Sequence, residues 1–396
     1  MSAIWPAVIG YVFFTPMKLA FVLFKYFPYG GLQRDMVRMA AACQLLGYEI
    51  HVYTLSWQGE VPEGFNVHLL PARGLRNFVR YRDFIRLLQQ ALARHPVAAV
   101  VGFNRISGLD IYYAADPCFR QEHVENKPYY VRFLARYRFF MRQEEAVFGA
   151  ASQTLVLMIS SLQLPYFKKY YGISDARIRM LPPGISKDRM ASANKAEIRA
   201  GFRREFGLGD DNILLLSVGS GFDMKGFDRG LIAVAALPEE LRARVRVFVV
   251  GQDRPGPVKR LIQRLGIADI VTLFQGRDDI PRFLQGADFL LHPARHENAG
   301  MIIIEAIVAG LPVLTTATCG YACHVEQAAA GRVVAAPFRQ SALDATLHEM
   351  LTSAMRDEWS SNGIRYGHTR DLYSLHEKAA NIIHEYVLAD QHTSPA

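Results

Sequence analysis

Lys18-Leu19-Ala20-Phe21-Val22-Leu23-Phe24 is followed by Gly30-Gly31, then by Leu32 to Leu46, then by Glu49-Ile50-His51-Val52-Tyr53-Thr54. After Lys18 the first run has no polar residue. It lacks the alternation of a half-exposed strand and reads as one buried on both faces. The paired glycines end it in a turn. Leu32–Leu46 reads as a helix, and Glu49–Thr54 as the next strand. Strand, helix and strand in succession make a parallel sheet with helices on its faces.

The same alternation continues outward. Ala98–Gly102, Leu109–Tyr113 and Thr154–Met158 read as strands, and Arg80–Arg94 and Ser160–Tyr170 as helices. Leu181-Pro182-Pro183-Gly184 then interrupts the pattern, because neither proline can donate to a helix or a ladder. Beyond it the grammar restarts. Asn212–Val218, Arg244–Val250, Ile270–Phe274, Asp288–Leu291 and Pro312–Thr315 read as strands. Lys225–Ala236, Val258–Leu265 and Met301–Ala309 read as the helices between them, and Gln340–Thr352, Met355–Gly363 and Ser374–Leu388 as three more. The expected fold class is α/β, with two Rossmann-like doubly wound domains facing a cleft. Residues 17–182 form the first domain, and the second begins at 183.

Composition agrees with two large cores. The 396 residues are too many for one ordinary domain, and 51% apolar against 21% charged excludes disorder. Thirty glycines and 19 prolines exclude collagen-like and linker-like chains. Four cysteines are too few for a disulfide scaffold and point to a reducing compartment. The net charge of +8 is unevenly spread: residues 17–182 carry 21 Lys/Arg against 12 Asp/Glu, and residues 183–396 carry 24 against 25. The first half should therefore face something anionic, whether nucleic acid, a phosphorylated sugar or a membrane surface. Ile4–Phe14 is apolar, but it lacks a basic lead, holds Pro6 and has no small-residue cleavage site. Residues 1–16 read as an extension; the rival reading is a short membrane-touching anchor.

Ligands of doubly wound sheets bind beyond the carboxyl ends of strands, where helices begin. Gly30 and Gly31 bring bare backbone N–H groups to a helix start, a site for an anion as well as a tight turn. Gly219, with Ser220-Gly221 behind it, precedes Lys225-Gly226. These glycines allow close approach of a phosphate, and Lys225 supplies a point charge. The spacing is not that of a P-loop, and no acid ends the next strand, which argues against a dinucleotide. The strongest signal is His296-Glu297-Asn298-Ala299-Gly300-Met301-Ile302-Ile303-Ile304-Glu305-Ala306. Two carboxylates, Glu297 and Glu305, flank a glycine-containing helix start after a strand. The N–H groups of Asn298 to Met301 are offered to a phosphate or to sugar hydroxyls. Glu305 on its own also reads as a buried structural acid.

The Glu297/Glu305 pair, with Gly310-Leu311-Pro312-Val313 behind it, resembles the donor site of retaining GT-B glycosyltransferases of family 4. Lys225-Gly226, Val250-Gly251, Phe274-Gln275-Gly276 and Leu181-Pro182-Pro183-Gly184 follow that family's order, so the resemblance spans nearly all of 17–390. The run Lys25 to Asp35, Gly102-Phe103-Asn104 and Tyr112 to Asp116 are similar to the lipopolysaccharide core glucosyltransferases within it. The resemblance implies a GT-B fold in which 183–370 binds the nucleotide sugar and 371–396 holds a helix crossing back to the first domain. It implies glucose transfer from UDP-glucose to a heptose of the lipopolysaccharide inner core, α-1,3 with retention. It implies that Lys225 neutralises the diphosphate and Glu305 accepts from the ribose hydroxyls. Glu297 would contact the sugar and steady its developing positive charge, with Ala299, Gly300 and Met301 giving backbone donors. Asp116 would reach over from the first domain, and Arg277 would border the uracil. Two departures stand out: Ser220 and Gly221 occupy the place of a common arginine, and Asp116 that of a common histidine.

No D-x-D triad occurs in the sequence, so no cofactor or metal is expected, and the Cys319/Cys323/His324 spacing is too loose for a metal clip. The resemblance points to front-face substitution, because the motif sets no second carboxylate on the opposite face. Lys127 to Arg142 holds Lys127, Arg132, Arg136, Arg138 and Arg142 and no acid. As one helix it gathers Tyr129, Tyr130, Phe133, Leu134, Tyr137, Phe140 and Met141 within an arc of roughly 140°, with the arginines outside it. This reads either as a helix packed on the sheet with a solvated basic face or as one lying in an anionic interface. The latter suits a peripheral monomer on the cytoplasmic side of a bacterial inner membrane. Nucleic acid is a poorer fit, since no binding motif accompanies the arginines. Three rivals stay open: a related transferase with another donor or acceptor, an epimerase or hydrolase on the same fold, and a non-catalytic membrane-binding module.

Overall fold

Lys18–Val22 forms strand β1, buried from Leu19 onward. It lies at the centre of a sheet because apolar side chains on both faces must be covered. The computed structural model describes residues 16–28, 30–125 and 127–393. Of the extension 1–16, all but Pro16 lies outside them. Helix α1 (Gly31–Leu45) buries Met36, Met39, Ala40 and Cys43, spaced along one face. Then come β2 (Glu49–Thr54), β3 (Phe65–Leu69), α2 (Asn77–Arg94), β4 (Ala99–Gly102), β5 (Ile111–Ala114), α3 (Ala135–Phe148), β6 (Leu155–Met158), α4 (Leu164–Tyr171) and β7 (Ile178–Met180). All pairings are parallel, in the order β3-β2-β1-β4-β5-β6-β7.

Past Leu181–Gly184 comes α5 (Lys195–Glu205), then a second parallel sheet. Its strands are β8 (Ile213–Val218), β9 (Val245–Val250), β10 (Val271–Phe274), β11 (Phe289–His292), β12 (Val313–Thr316) and β13 (Gly331–Val334), in the order β10-β9-β8-β11-β12-β13. Both sheets reverse direction of growth beside their first strand, between β1 and β4 and between β8 and β11. Those are the crevices where doubly wound sheets bind ligands. The connecting helices are α6 (Phe227–Ala235), α7 (Glu239–Arg244), α8 (Gly256–Arg264), α9 (Ile280–Gly286), α10 (Met301–Val308), α11 (Ala322–Ala328), α12 (Gln340–Thr352) and α13 (Arg356–Thr369).

The last helix, α14 (Leu375–Thr393), returns to the first domain and packs on α1. Tyr48 and His384 share a 2.7 Å hydrogen bond, and His376 lies 3.0 Å from Asp35. One apolar cluster runs from Leu19 and Phe21 through Leu375, Ala379 and Ile383 to Leu214, Leu290 and Ile304. The two domains therefore share a core on the α14 side.

The stretch 127–142 is not one helix. A 3-10 turn (Tyr129–Phe133) ends at Leu134, whose extended backbone caps α3. The expected single arc is thereby split. Phe139 and Phe140 turn inward beside Phe78, Tyr81 and Phe119, whereas Tyr129, Tyr130, Phe133 and Leu134 stay 67%, 64%, 59% and 47% exposed. Lysine 225 is likewise not the first residue of a helix. Gly226, with φ +67, intervenes before α6, and a Cβ there would collide with the Pro293 carbonyl.

Candidate active site

The loops after β8 and β11 lie side by side at the carboxyl edge of the second sheet. The Arg295 N–H donates to the Met224 carbonyl at 2.9 Å. The β11 loop is pinned from its other flank too: Glu297 N–H donates to Thr318, and Gly320 and Tyr321 donate back to Glu297 and Ala299. Gly300, at φ +93, turns this loop into α10, a conformation that a side chain would strain.

This geometry brings Lys225 and Glu297 into an ion pair, with neither fully exposed. Burial holds the Lys225 ammonium below its ordinary value, opposed by Cys319. Directly beneath, His292 ends β11 with 0% exposure, its Nε2 3.5 Å from the same Glu297 oxygen. Burial first, and Lys225 second, push the imidazole down to about 3, so it is neutral. Glu305 stands in α10, facing Arg189 at 3.8 Å. Burial raises its carboxyl, with the Arg189, Arg34 and Arg38 guanidiniums pulling it back.

The first domain reaches this wall at Ala115. Asn298 Nδ2 donates to the Ala115 carbonyl at 2.6 Å, which sets Asp116 across the crevice from the β11 loop. Asp116 is 3.8 Å from Arg105 and about half exposed. Gly30 caps α1 and Gly31 begins it, at the carboxyl end of β1, with no acid in the helix's first turn. Gly219 directly follows β8, at φ +143 and against the Lys225 stem. Ala299, Gly300 and Met301 carry the chain into α10.

Arg277 follows β10, the edge strand two places from β8. Its guanidinium is bound in a fork to Asp279 at 2.7 and 2.8 Å and lies over Phe283. Lys127, Arg132, Arg136, Arg138 and Arg142 belong to the first domain, between β5 and the end of α3. There Arg132, Arg138 and Arg142 join Arg120 around a cavity of about 590 Å³.

Four contributions escaped the sequence reading: Arg189, the pair Arg34/Arg38, the Asn298 side chain and His292. The first two come from other parts of the chain, and no local spacing announces them. His292, five residues before Glu297 at the end of a strand, was the one with a readable position. Several buried polar atoms along this wall have no hydrogen-bond partner among the described residues: both His292 nitrogens, Asn298 Oδ1, His296 Nε2, Tyr321 Oη and one Arg189 nitrogen. Buried polar groups are ordinarily paired, so such a cluster is the signature of a surface built to meet a polar ligand.

Known proteins share this fold and, in part, this sequence. The family model described as "Glycosyltransferase Family 4" matches residues 29–189, and that described as "Glycosyl transferases group 1" matches residues 199–366. The lipopolysaccharide glucosyltransferase WaaG of Escherichia coli (strain K12) is 43% identical over 368 residues, covering 93% of this chain and 98% of that enzyme. A crystal structure of WaaG superposes with a TM-score of 0.86, covering 92% of this chain and 99% of that one. Sucrose-phosphate synthase from Thermosynechococcus elongatus, 17% identical, shares the fold at a TM-score of 0.73 over 96% of this chain and 100% of that one. Matched in both halves by these families and similar to WaaG along almost its whole length, the chain belongs to the family 4 glycosyltransferases and is a glycosyltransferase of GT-B fold.

Proposed function

We propose that the enzyme transfers glucose from UDP-glucose to a heptose of the lipopolysaccharide inner core, with retention and without a metal. The observation that carries this is the Lys225–Glu297 pair at the crevice of the second sheet, in a chain 43% identical to a lipopolysaccharide glucosyltransferase. Lys225 and the adjacent helix start neutralise the diphosphate, and Glu305 accepts from the ribose hydroxyls. Glu297 faces the sugar as its anomeric carbon gains positive charge. The acceptor hydroxyl attacks from the leaving-group side. The C1–O bond to phosphate breaks, the C1–O bond to acceptor forms, and the hydroxyl proton passes to the departing phosphate oxygen. Asp116 helps from the first domain. Closure of the crevice keeps water from the reacting carbon.

The test is turnover of a panel of UDP-sugars on truncated core lipopolysaccharide with EDTA present. Glucose transfer with α product is expected. Preference for another sugar, conversion of donor with no acceptor present, or loss of activity in EDTA would each overturn the corresponding part.

The proposed acceptor is membrane-bound, which puts the enzyme at the cytoplasmic face of the inner membrane, and we propose that it works there as a monomer. Exposed Tyr129, Tyr130, Phe133 and Leu134 reach the headgroup level, and Lys127, Arg132, Arg136, Arg138 and Arg142 meet lipid phosphates. Among the described residues no helix is long and apolar enough to cross a membrane. Co-sedimentation with vesicles is expected to require anionic lipid and to weaken as salt rises past about 0.15 M. Equal binding to neutral vesicles would reject the electrostatic part.

A further inference from the structure

His292 is a costly residue to bury. It has 0% exposure, and among the described residues neither ring nitrogen has a hydrogen-bond partner. Its backbone carbonyl is already satisfied, accepting from Thr315 Oγ1 at 2.9 Å. Strand β11 therefore has no need of an imidazole here. Phenylalanine or leucine would fill the space without desolvating two polar nitrogens. The polar feature in front of the ring is the Glu297 carboxylate, 3.5 Å from Nε2, just beyond hydrogen-bonding distance. That carboxylate oxygen is held instead by Lys225.

The Lys225 ammonium cannot keep this partner during turnover. Neutralising a diphosphate requires it to turn toward the phosphates, which leaves Glu297 without its cation inside a water-poor crevice. The side chains facing the carboxylate are Lys225 from the loop before α6 and His292 from β11; Cys319, in the loop after β12, bridges Glu297 through the backbone, and its thiol accepts from Thr315 Oγ1 at 3.3 Å. Of these, the neutral imidazole is the one able to donate once Lys225 has moved. The Nε2-protonated tautomer aims that proton at Glu297.

We infer that His292 is a positioning residue: when Lys225 leaves Glu297 for the donor's diphosphate, His292 Nε2–H takes over the same carboxylate oxygen and holds Glu297 against the sugar. The inference rests on the donor-site reading above. The handover needs only a shift of a few tenths of an ångström to close the present gap. A neutral donor suits the task. A cationic one would itself neutralise the charge that Glu297 must offer to the sugar.

The experiment compares H292F, H292L and H292Q in initial-rate assays, and follows the imidazole of the wild-type enzyme by NMR as UDP is added. Phenylalanine and leucine keep the volume and lose the donor, whereas glutamine keeps an N–H. A hydrogen bond to a charged group is strong enough that H292F and H292L are expected to lose about 10- to 100-fold in kcat. Their KM for UDP-glucose should stay within about 3-fold, and H292Q should recover most of the rate. The acid limb of the kcat–pH profile should rise in the two apolar variants, because Glu297 loses a donor that favours its ionised form. In the wild type the Nε2 proton should move downfield on saturation with UDP. Equal losses in all three variants, or a loss confined to KM, would show a packing role and overturn the inference. An apolar variant within about 2-fold of wild type would do the same. If neither apolar variant folds, the NMR signal decides, and a resonance unmoved by bound UDP overturns the inference. Failure of UDP to bind at all removes the donor-site reading, and this inference with it.

Discussion

Glu297→Ala is expected to lower kcat by about 10²- to 10³-fold, the effect of deleting one preorganised charge at a reacting centre. UDP-glucose affinity is expected to hold or to improve slightly. In the free enzyme Glu297 and Lys225 occupy each other, so donor binding must first separate them. Removing Glu297 frees the ammonium for the diphosphate and deletes that competition. It also deletes the carboxylate that would face the sugar as its bond to phosphate breaks. A large fall in kcat with little change in KM is how an interaction made in the transition state reports itself. Initial rates over a range of UDP-glucose, with calorimetric titration of UDP, read both terms. An unchanged kcat removes Glu297 from the chemistry. A trapped glycosyl ester on Glu297 would replace front-face substitution by double displacement.

Glu144→Ala is expected to destabilise the first domain by about 3–5 kcal/mol, the cost of stripping one partner from a buried ion pair. Glu144 is fully buried in α3. It accepts from Arg105 at 2.5 Å, from the Phe119 and Arg120 backbone at 2.7 and 3.0 Å, and from the Tyr171 hydroxyl at 2.6 Å. Arg105 in turn donates to the Pro117 carbonyl at 2.7 Å. These bonds fasten the segment 117–120, immediately after Asp116, to two helices. Without the carboxylate two backbone donors and the Tyr171 hydroxyl lose their acceptor at once, and the largely buried Arg105 cation keeps only the Pro117 carbonyl and Asp116 at 3.8 Å. The first thermal transition should fall by on the order of 10 °C, with Glu144→Gln falling less because it keeps an acceptor. A drop of under about 2 °C for the alanine variant would contradict this account.

How much of this was legible depends on where each signal lies in the chain. Strands β1, β8 and β11 are buried on both faces and β9 nearly so, and their apolar runs betray them, whereas β2 shows by its alternation of Ile50 and Val52 with the half-buried Glu49 and His51. The strands that the sequence reading missed, β3, β7 and β13, are all edges of their sheets. Phe65–Leu69 and Ile178–Met180 keep exposed residues, and Gly331 opens β13 with no side chain at all. An edge pairs on one side and needs no such run. Glu297 and Glu305 were readable because the turn into α10 sets them a fixed number of residues apart. Arg34 and Arg38 were not, because α1 meets Glu305 only once two domains have been assembled. The break at Leu134 was invisible to periodicity, which counts residues straight through a kink. The structure shows that the exposed aromatics before the break and the packed ones after it belong to different surfaces.

Helix α14 has a consequence for how the protein is made. Two side-by-side stretches of backbone join the halves, tied by Ile185 N–H to the Leu372 carbonyl at 3.1 Å. The second domain is thus an insertion within the first. Asp35 meets His376 and Tyr48 meets His384, partners at opposite ends of the polypeptide. During synthesis the half that emerges first must wait for the last helix to leave the ribosome before α1 is covered, while the half made later can already close on itself. A truncation near the carboxyl terminus would therefore injure the amino-terminal domain.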